Sequence, residues 1–250
     1  MLAAPCQSGS KVIRRFALTL AVGFLVGGAA LSQSEPQPIA SIADRIETLN
    51  WADPARALRA IQTTPSTNGV AQIDIPMLEV QGSVYADIYQ QTKVDEVIAR
   101  LQSLISRGNQ AAVVAAHFVR AYSQFRRGQY TAASVELGKS NVEEIKLPTE
   151  RYRYLLLLGD SLRIQHQTEA ALPRLEQASA LAQSLRDDTR AVRAMLLLAR
   201  LNAMSGKFGL AATQIEMART WAIQLADEGA LADVESGACV LAGRDRKSVV

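Results

Sequence analysis

The chain of 250 residues is long enough for one or two domains, and it carries a formal net charge of +3. Its 15 glycines and 8 prolines are too few for a fibrous or disordered protein, and its low aromatic content favours packed helices over a β-sandwich. The formal net charge of residues 33–244 is −1, because Lys11, Arg14 and Arg15 carry three of the positive charges and the last six residues add +1. Since nucleic-acid binding needs a basic surface, we expect no nucleic-acid partner.

Residues 1–32 have the pattern of an export signal. The three basic side chains named above precede the apolar run FALTLAVGFLVGGAAL (Phe16–Leu31), and small residues that suit cleavage lie at Gly28, Ala30 and Ser32. The run has 16 residues, fewer than the ~20 that usually cross a membrane. We therefore predict a signal peptide and an exported, periplasmic body. An N-terminal membrane anchor that tethers the body to the inner membrane is the alternative.

Residues 33–77 predict two short helices and a linker. The helices correspond to the segments IASIADRIETLN and DPARALRAIQ. Asp53 suits the N-cap of the second helix, and Pro54 suits its first position because that residue needs no backbone N–H donor. The turn-forming segment TTPSTNGVAQ (Thr63–Gln72) then separates these helices from the main body.

A spaced pattern recurs through the main body. AYSQFRRGQYTAASVEL begins at Ala121, GDSLRIQHQTEAALPRL at Gly159 and ARLNAMSGKFGLAATQI at Ala199, and a weaker match precedes them around Tyr85 to Leu101. Small residues let two helices approach closely, and a glycine ends the first helix by accepting a left-handed conformation. The aromatic residue after the turn then fills the space between the helices. Such pairs bury their apolar faces only by stacking on one another.

This pattern resembles the tetratricopeptide repeat (TPR), whose basic period is 34 residues. The resemblance covers residues 78–244 and implies an all-α, right-handed superhelical solenoid of antiparallel helix pairs. His166 and Thr168 replace the glycine and the aromatic residue in the middle unit, and Pro173 is expected to kink its helix. An alanine-rich helical bundle without true repeats is the alternative.

The last repeat is predicted to be incomplete. Asp227 stands in the same register as Asp187, so a fifth unit opens there, and its first helix is expected to run to about Arg244. The terminal DRKSVV (residues 245–250) back-translates to GAT CGG AAG AGC GTC GTG, which resembles a common sequencing adapter. We therefore expect residues 245–250 to be an artefact and the chain to be a fragment. Resequencing tests this hypothesis, and a genomic stop codon directly after Val250 contradicts it.

No catalytic, metal or cofactor motif is present in the sequence. There is no G-x-S-x-G, phosphate-binding G-x-x-x-x-G-K-[ST], H-E-x-x-H or paired C-x-x-C segment. The two histidines, His117 and His166, fall in different units, which argues against a shared metal site. We therefore expect no catalysis by these residues, no metal site and no cofactor.

The TPR resemblance implies a binding groove. In such arrays the first helix of each pair lines a concave face, and an aromatic patch beside four arginines there suits an acidic or C-terminal peptide. The lysine and asparagine pattern of the known carboxylate-binding subfamily is not matched. Solvated helix faces, with arginine stems over apolar surface, are the alternative. The groove residues implied by register are Phe118, Tyr122, Phe125, Arg153, Asp160, Arg163, Arg193 and Arg200.

Three functions are consistent with these features. The first is an exported scaffold that binds a peptide or protein in its groove. The second is the extracytoplasmic sensor region of a truncated membrane signalling protein. An export-type N-terminus, two short helices with DPARALRAI and long degenerate TPR units resemble the sensor region of bacterial membrane-bound diguanylate cyclases, with histidine kinases as the near alternative. That resemblance implies further repeats, a membrane span and a signalling domain beyond Arg244. A secreted enzyme with an unrecognised site is the third.

Overall fold

The computed structural model describes residues 42–63 and 75–248, and within these it contains eleven α-helices and no strand. The all-α class is therefore confirmed. The predicted export segment (residues 1–32), most of the predicted linker and the last two residues lie outside the described residues. The helices are α1 (Ile42–Ala52), α2 (Pro54–Thr63), α3 (Ile75–Asp87), α4 (Gln91–Ile105), α5 (Gln110–Arg126), α6 (Tyr130–Leu137), α7 (Pro148–Ile164), α8 (Thr168–Ser184), α9 (Asp188–Met204), α10 (Phe208–Gln224) and α11 (Glu228–Ser248).

Consecutive helices pack against each other along the chain. The pairs α3–α4, α5–α6, α7–α8 and α9–α10 follow the predicted units, and α1–α2 forms a shorter pair before them. The first helices of successive units also meet, most extensively where α3 packs on α5 and α9 on α11. This arrangement places α1, α3, α5, α7, α9 and α11 along one side of the stack of pairs.

The predicted small residues lie at the helix–helix contacts. Ala121, Ala133, Ala171 and Ala211 have almost no exposed surface. A side chain at Gly159 would place its Cβ 2.6 Å from Leu175 Cδ2, so α7 and α8 approach more closely than any larger residue allows. The spacing in the sequence therefore reflects packing between the helices of a pair.

The turns inside the pairs keep one backbone conformation whatever the residue. Gly128 and Gly206 have φ values of 77° and 74°, in the left-handed region that glycine accepts without strain. His166 takes the equivalent position with φ 60°. The histidine thus adopts the conformation of the glycine it replaces, at a steric penalty that tertiary packing offsets.

Two of the predicted helix starts are capped as expected. The Arg56 backbone N–H donates to Asp53 Oδ1 at 3.0 Å, and Pro54 is the first residue of α2. The Arg190 N–H donates to Asp187 Oδ1 at 2.9 Å at the start of α9. The carboxylates therefore satisfy N–H groups that have no partner within the helix.

Helix α3 begins at Ile75, and α8 contains Pro173 within one helix. Helix α11 extends to Ser248, past the expected end near Arg244. None of the helices in the described ranges combines the length and apolar character that crossing a bilayer requires.

Candidate functional site

A cavity of about 270 Å³ lies where the first helices of the pairs meet α1. Helices α3, α5, α7, α9 and α11 also contribute to its walls. Its lining includes five aromatic side chains, four guanidinium groups and three carboxylates. Its lining residues are Glu47, Asn50, Trp51, Val80, Ser83, Phe118, Tyr122, Phe125, Arg126, Tyr152, Arg153, Leu156, Leu157, Asp160, Arg193, Leu196, Leu197, Arg200 and Asp233.

The structure brings seven of the eight predicted groove residues to this cavity. Arg163 is the exception, since it lines a second cavity of about 100 Å³ formed with residues of α9, α10 and α11. Arg200 lines both cavities and so lies between them. The seven residues at the main cavity are Phe118, Tyr122, Phe125, Arg153, Asp160, Arg193 and Arg200.

Helix α1 closes one side of the cavity through its polar face. Arg190 Nη2 on α9 donates to Asp44 Oδ1 at 2.8 Å and to Glu47 Oε2 at 2.6 Å. The Arg193 guanidinium stacks 4.2 Å from the centre of the Trp51 ring. Ala43, one turn before Glu47, is buried in a cluster with residues of α2 and α3. Helix α1 is therefore part of the core and also a wall of the cavity.

Asp87 at the end of α3 ties three helices together at the cavity rim. Its carboxylate accepts hydrogen bonds from Asn50 Nδ2 at 2.5 Å and from Tyr122 Oη at 3.0 Å, and it pairs with Arg126 Nε at 2.7 Å. Burial raises the pKa of Asp87, although Arg126 and the two hydrogen bonds oppose that shift. Tyr122 is thereby fixed in orientation with its ring towards Phe118.

Arg153 and Glu47 are the most deeply buried charges of the cavity wall, each with 6% of its surface exposed. For Arg153, the contacts with carboxylates are loose. Its Nε lies 3.3 Å from Glu79 Oε1 and its Nη1 3.8 Å from Glu47 Oε2. Neither nitrogen has a hydrogen-bond partner among the described residues, and neither does Glu79 Oε1. The guanidinium is therefore near two carboxylates without the alignment that a hydrogen bond needs.

Burial raises the pKa of Glu79 from its ordinary value of 4.5 to about 8. Arg153 lowers this pKa in part, whereas Glu150 and Glu47 raise it further. The side chain is consequently protonated in most molecules at neutral pH. Arg153 then retains a positive charge that Glu79 does not neutralise.

The remaining predicted arginines differ in their contacts. Arg163 forms an ion pair within α7, with its Nη2 2.6 Å from Asp160 Oδ1. Arg193 and Arg200 are half-buried, and neither forms an ion pair within the described part of the chain. These two guanidinium groups are the ones that an added anion could reach without displacing a carboxylate.

Several lining residues were missed by the sequence analysis. Glu47, Asn50 and Trp51 belong to α1, which the repeat pattern placed before the main body. Tyr152 was missed although it immediately precedes a predicted residue, and its hydroxyl donates to the Arg190 backbone oxygen at 2.7 Å. The available signal was one side of IADRIETLNW, where Asp44, Glu47 and Trp51 recur at helical spacing.

No group of three or more His, Cys, Asp or Glu side chains suited to a metal ion lies within the described ranges. Comparison with protein-family models, with curated proteins and with solved structures finds no match.

Proposed function

We propose that this chain is an exported helical scaffold that binds an acidic segment of a peptide or protein partner. The binding face is the side of the first helices that carries the two cavities. The single observation that supports this proposal is the convergence of seven register-matched side chains from α5, α7 and α9 on one cavity. Solvated helix faces have no reason to bring aromatic rings and guanidinium groups together in this way.

The chemistry of this face favours an acidic partner. Arg200 lies between the two cavities and Arg163 borders the second, so a bound segment that spans both meets two guanidinium groups in succession. Arginine binds carboxylates through two parallel hydrogen bonds. Arg190 of α9 already donates hydrogen bonds to Asp44 and Glu47 of helix α1, which supports an acidic partner for the neighbouring arginines.

The experiment compares an acidic peptide of alternating glutamate and leucine with its lysine counterpart, both with amidated C-termini. We expect the full chain to bind only the acidic peptide. The Arg163→Ala, Arg200→Ala double variant should bind it about tenfold more weakly, which corresponds to ~1.4 kcal/mol. Added salt should weaken the binding by screening these contacts.

A matched control is the Arg100→Ala, Arg107→Ala double variant. It removes the same charge from exposed positions that line neither cavity. Calorimetry measures the affinity, and melting curves show whether both double variants remain folded. Equal affinity of the two double variants contradicts the proposal.

We further propose that the stack of pairs is a TPR-like, right-handed superhelical solenoid. The equivalent turns at Gly128, His166 and Gly206 and the buried small residues support a regular repeat. A crystal structure tests this description directly. Unequal rotations between successive pairs would favour the alanine-rich bundle instead.

A sensor region of a membrane signalling protein is the second candidate function. It is favoured by the position of α1, which lines the cavity and begins at Ile42, soon after the apolar run that ends at Leu31. Filling the cavity would then act on the first described helix to follow the predicted membrane segment in the sequence. Recovery of the full gene tests this alternative, which requires an apolar span and a signalling domain in the recovered frame.

A further inference from the structure

We propose that one face of α9 is a docking surface for an acidic helix and that α1 occupies it within the same chain. Three side chains at helical spacing define this arginine face, namely Arg190, Arg193 and Arg200. The partner would be a helix with two carboxylates one turn apart and an aromatic ring one turn later. This inference rests on the proposed function, since it specifies the residue pattern of the acidic partner.

Helix α1 shows which side chains the arginine face accepts. Arg190 Nη2 donates to Asp44 Oδ1 at 2.8 Å and to Glu47 Oε2 at 2.6 Å. The Arg193 guanidinium stacks 4.2 Å from the centre of the Trp51 ring. The three side chains of α1 stand at positions i, i+3 and i+7, so one stripe of a single helix provides all of these contacts. A partner helix with the same stripe would meet the same donors.

The contact between α1 and α9 joins helix pairs that are not neighbours in the stack. In arrays of stacked pairs, each pair normally contacts only the pairs on either side of it. Here the first pair reaches the fifth, and Ala52 of α1 also comes close to Gly229 of α11. This contact does not build either pair, so it can open through small rotations between successive pairs while each pair stays intact.

Different kinds of contact attach α1 to its neighbours and to α9. Ala43 and Ile46 belong to an apolar cluster whose other members come from α1 itself, α2 and α3. The apolar clusters of α9 in the described part of the chain contain no residue of α1. Helix α1 instead meets α9 through ion pairs, hydrogen bonds and a cation–π contact. A partner helix with matching groups would therefore replace α1 without leaving a buried charge unpaired.

The arginine face extends beyond the part that α1 covers. Arg200 lies ten residues after Arg190, ~15 Å along α9, and it forms no ion pair within the described ranges. It borders both cavities, so a partner segment that continues past the stripe can reach it as well. The main cavity of about 270 Å³ is smaller than one turn of a helix, which is ~10 Å wide and ~5.4 Å long. Docking of a helix therefore requires α1 to move away.

The first experiment uses the contact between Trp51 and Arg193, because these residues act on opposite sides of the competition. The probe is a peptide with the sequence of residues 42–52, blocked at both ends and kept helical by a link between the exposed positions 48 and 52. In the full chain, we expect Trp51→Ala to tighten peptide binding about threefold, because α1 then competes less well. Arg193→Ala should weaken it about tenfold, because the docking surface itself is damaged. Calorimetry measures both affinities.

A matched peptide tests the acidic character of the partner. It carries Asp44→Asn and Glu47→Gln, which remove the only two carboxylates of the probe and keep its shape. We expect the full parent chain to bind this neutral peptide about tenfold more weakly than the acidic one.

A disulfide across the contact provides an independent test. A Cβ at Gly229 would lie 3.7 Å from the Ala52 Cβ, within the ~3.5–4.5 Å of natural disulfides, and both positions are exposed. The Ala52→Cys, Gly229→Cys variant should bind the acidic peptide about tenfold more weakly when oxidised than when reduced. Mass spectrometry checks that the two new cysteines pair. The parent under both redox conditions controls for Cys6 and Cys239.

Equal affinity of the oxidised and reduced forms would overturn the inference. So would equal binding of the two peptides, absence of binding at ~1 mM acidic peptide, or a shift in the same direction for Trp51→Ala and Arg193→Ala. The last result is the one expected of a contact that only stabilises the fold. Sedimentation tests a second copy of this chain as the occupant, and a dimer that forms only after reduction would overturn the separate partner.

The proposed function fails separately, through the peptide of alternating glutamate and leucine and the variants at Arg163 and Arg200. Redox-dependent binding of the helical peptide without any binding of the glutamate and leucine peptide leaves the docking surface standing. It would remove the binding mode in which an acidic segment spans the two cavities.

Discussion

Two clusters of ion pairs use the same residue types in opposite surroundings. At the cavity, Arg153 and Arg190 face Glu47 and Glu79, and all four side chains are buried. On the outer surface, Arg219 of α10 pairs with Glu216 one turn earlier and with Glu235 of α11. In the outer pairs, Arg219 donates close hydrogen bonds to carboxylates that are more than half exposed. The contacts of Arg153 at the cavity are longer and lack hydrogen-bond geometry.

The comparison indicates that an ion pair with good hydrogen-bond geometry need not contribute much to the stability of the fold. Water screens the Arg219 contacts, so even well-formed pairs there contribute ~0–1 kcal/mol. Burial makes the cavity charges costly to leave unpaired, and removing one partner is strongly destabilising. The buried cluster is therefore where we expect the large effects on stability.

The largest expected effect comes from Glu47. Changing Glu47→Gln keeps the shape but removes the charge that Arg190 and Arg153 share. We expect a loss of about 3 kcal/mol, the lower end for a broken buried pair, because Arg190 keeps Asp44 and Asp187 as partners. Urea unfolding followed by circular dichroism measures the change.

The matched control on the outer surface is Glu235→Gln, which removes the carboxylate that accepts from Arg219 Nε at 2.7 Å. We expect a loss of about 0.5 kcal/mol or less there. Similar losses in the two variants would mean that the cavity cluster is as well hydrated as the surface. In that case the comparison between the clusters breaks down.

A smaller, pH-dependent effect is expected from Glu79. Its pKa is raised from 4.5 to about 8 by burial, with Arg153 opposing the shift and Glu150 and Glu47 adding to it. The folded protein therefore holds this proton more tightly than the unfolded chain. Glu79 contributes fully to the free energy of unfolding below pH 4.5. This contribution falls as the pH rises towards 8, and above that pH it no longer changes.

Glu79→Gln mimics the protonated side chain and should remove this dependence. We expect the variant to match the parent near pH 5 and to be the more stable of the two near pH 8.5, where the parent has lost the contribution of the protonated side chain. Urea unfolding across that pH range provides the measurement. A parent whose stability relative to the variant does not change with pH would show that Glu79 is already ionised in the folded state.

Much of the fold could be predicted from the sequence because its signals are local. Asp53 and Asp187 each accept a hydrogen bond from the backbone N–H three residues later in the chain. Gly128 and Gly206 adopt the left-handed conformation of their own turns. Repetition added information, since the same spacing marked the buried positions in three units. His166 shows the limit of residue type alone, because its position rather than its chemistry imposes the left-handed backbone.

The composition of the cavity was only partly predictable. The register of the first helices identified Phe118 and Arg193, but the role of α1 depends on contacts between distant parts of the chain. Asp44 and Arg190 are separated by 146 residues, and no local pattern links them. The burial of Arg153 was missed for the same reason, since the carboxylates near it come from α1 and α3.

The smallest expected effect is the dependence of the outer cluster on salt. Arg219→Gln removes both of its carboxylate contacts, and we expect a loss of about 0.5–1 kcal/mol at low ionic strength. This loss should disappear at 1 M salt, where the screening length is ~3 Å.

The loss caused by Glu47→Gln should persist at the same salt concentration, because few ions reach a buried pair. Unfolding both variants in urea at low and high salt gives the comparison, with urea preferred because guanidinium chloride is itself a salt. If added salt reduced the loss of stability in Glu47→Gln as much as that in Arg219→Gln, ions would have to enter the cavity freely.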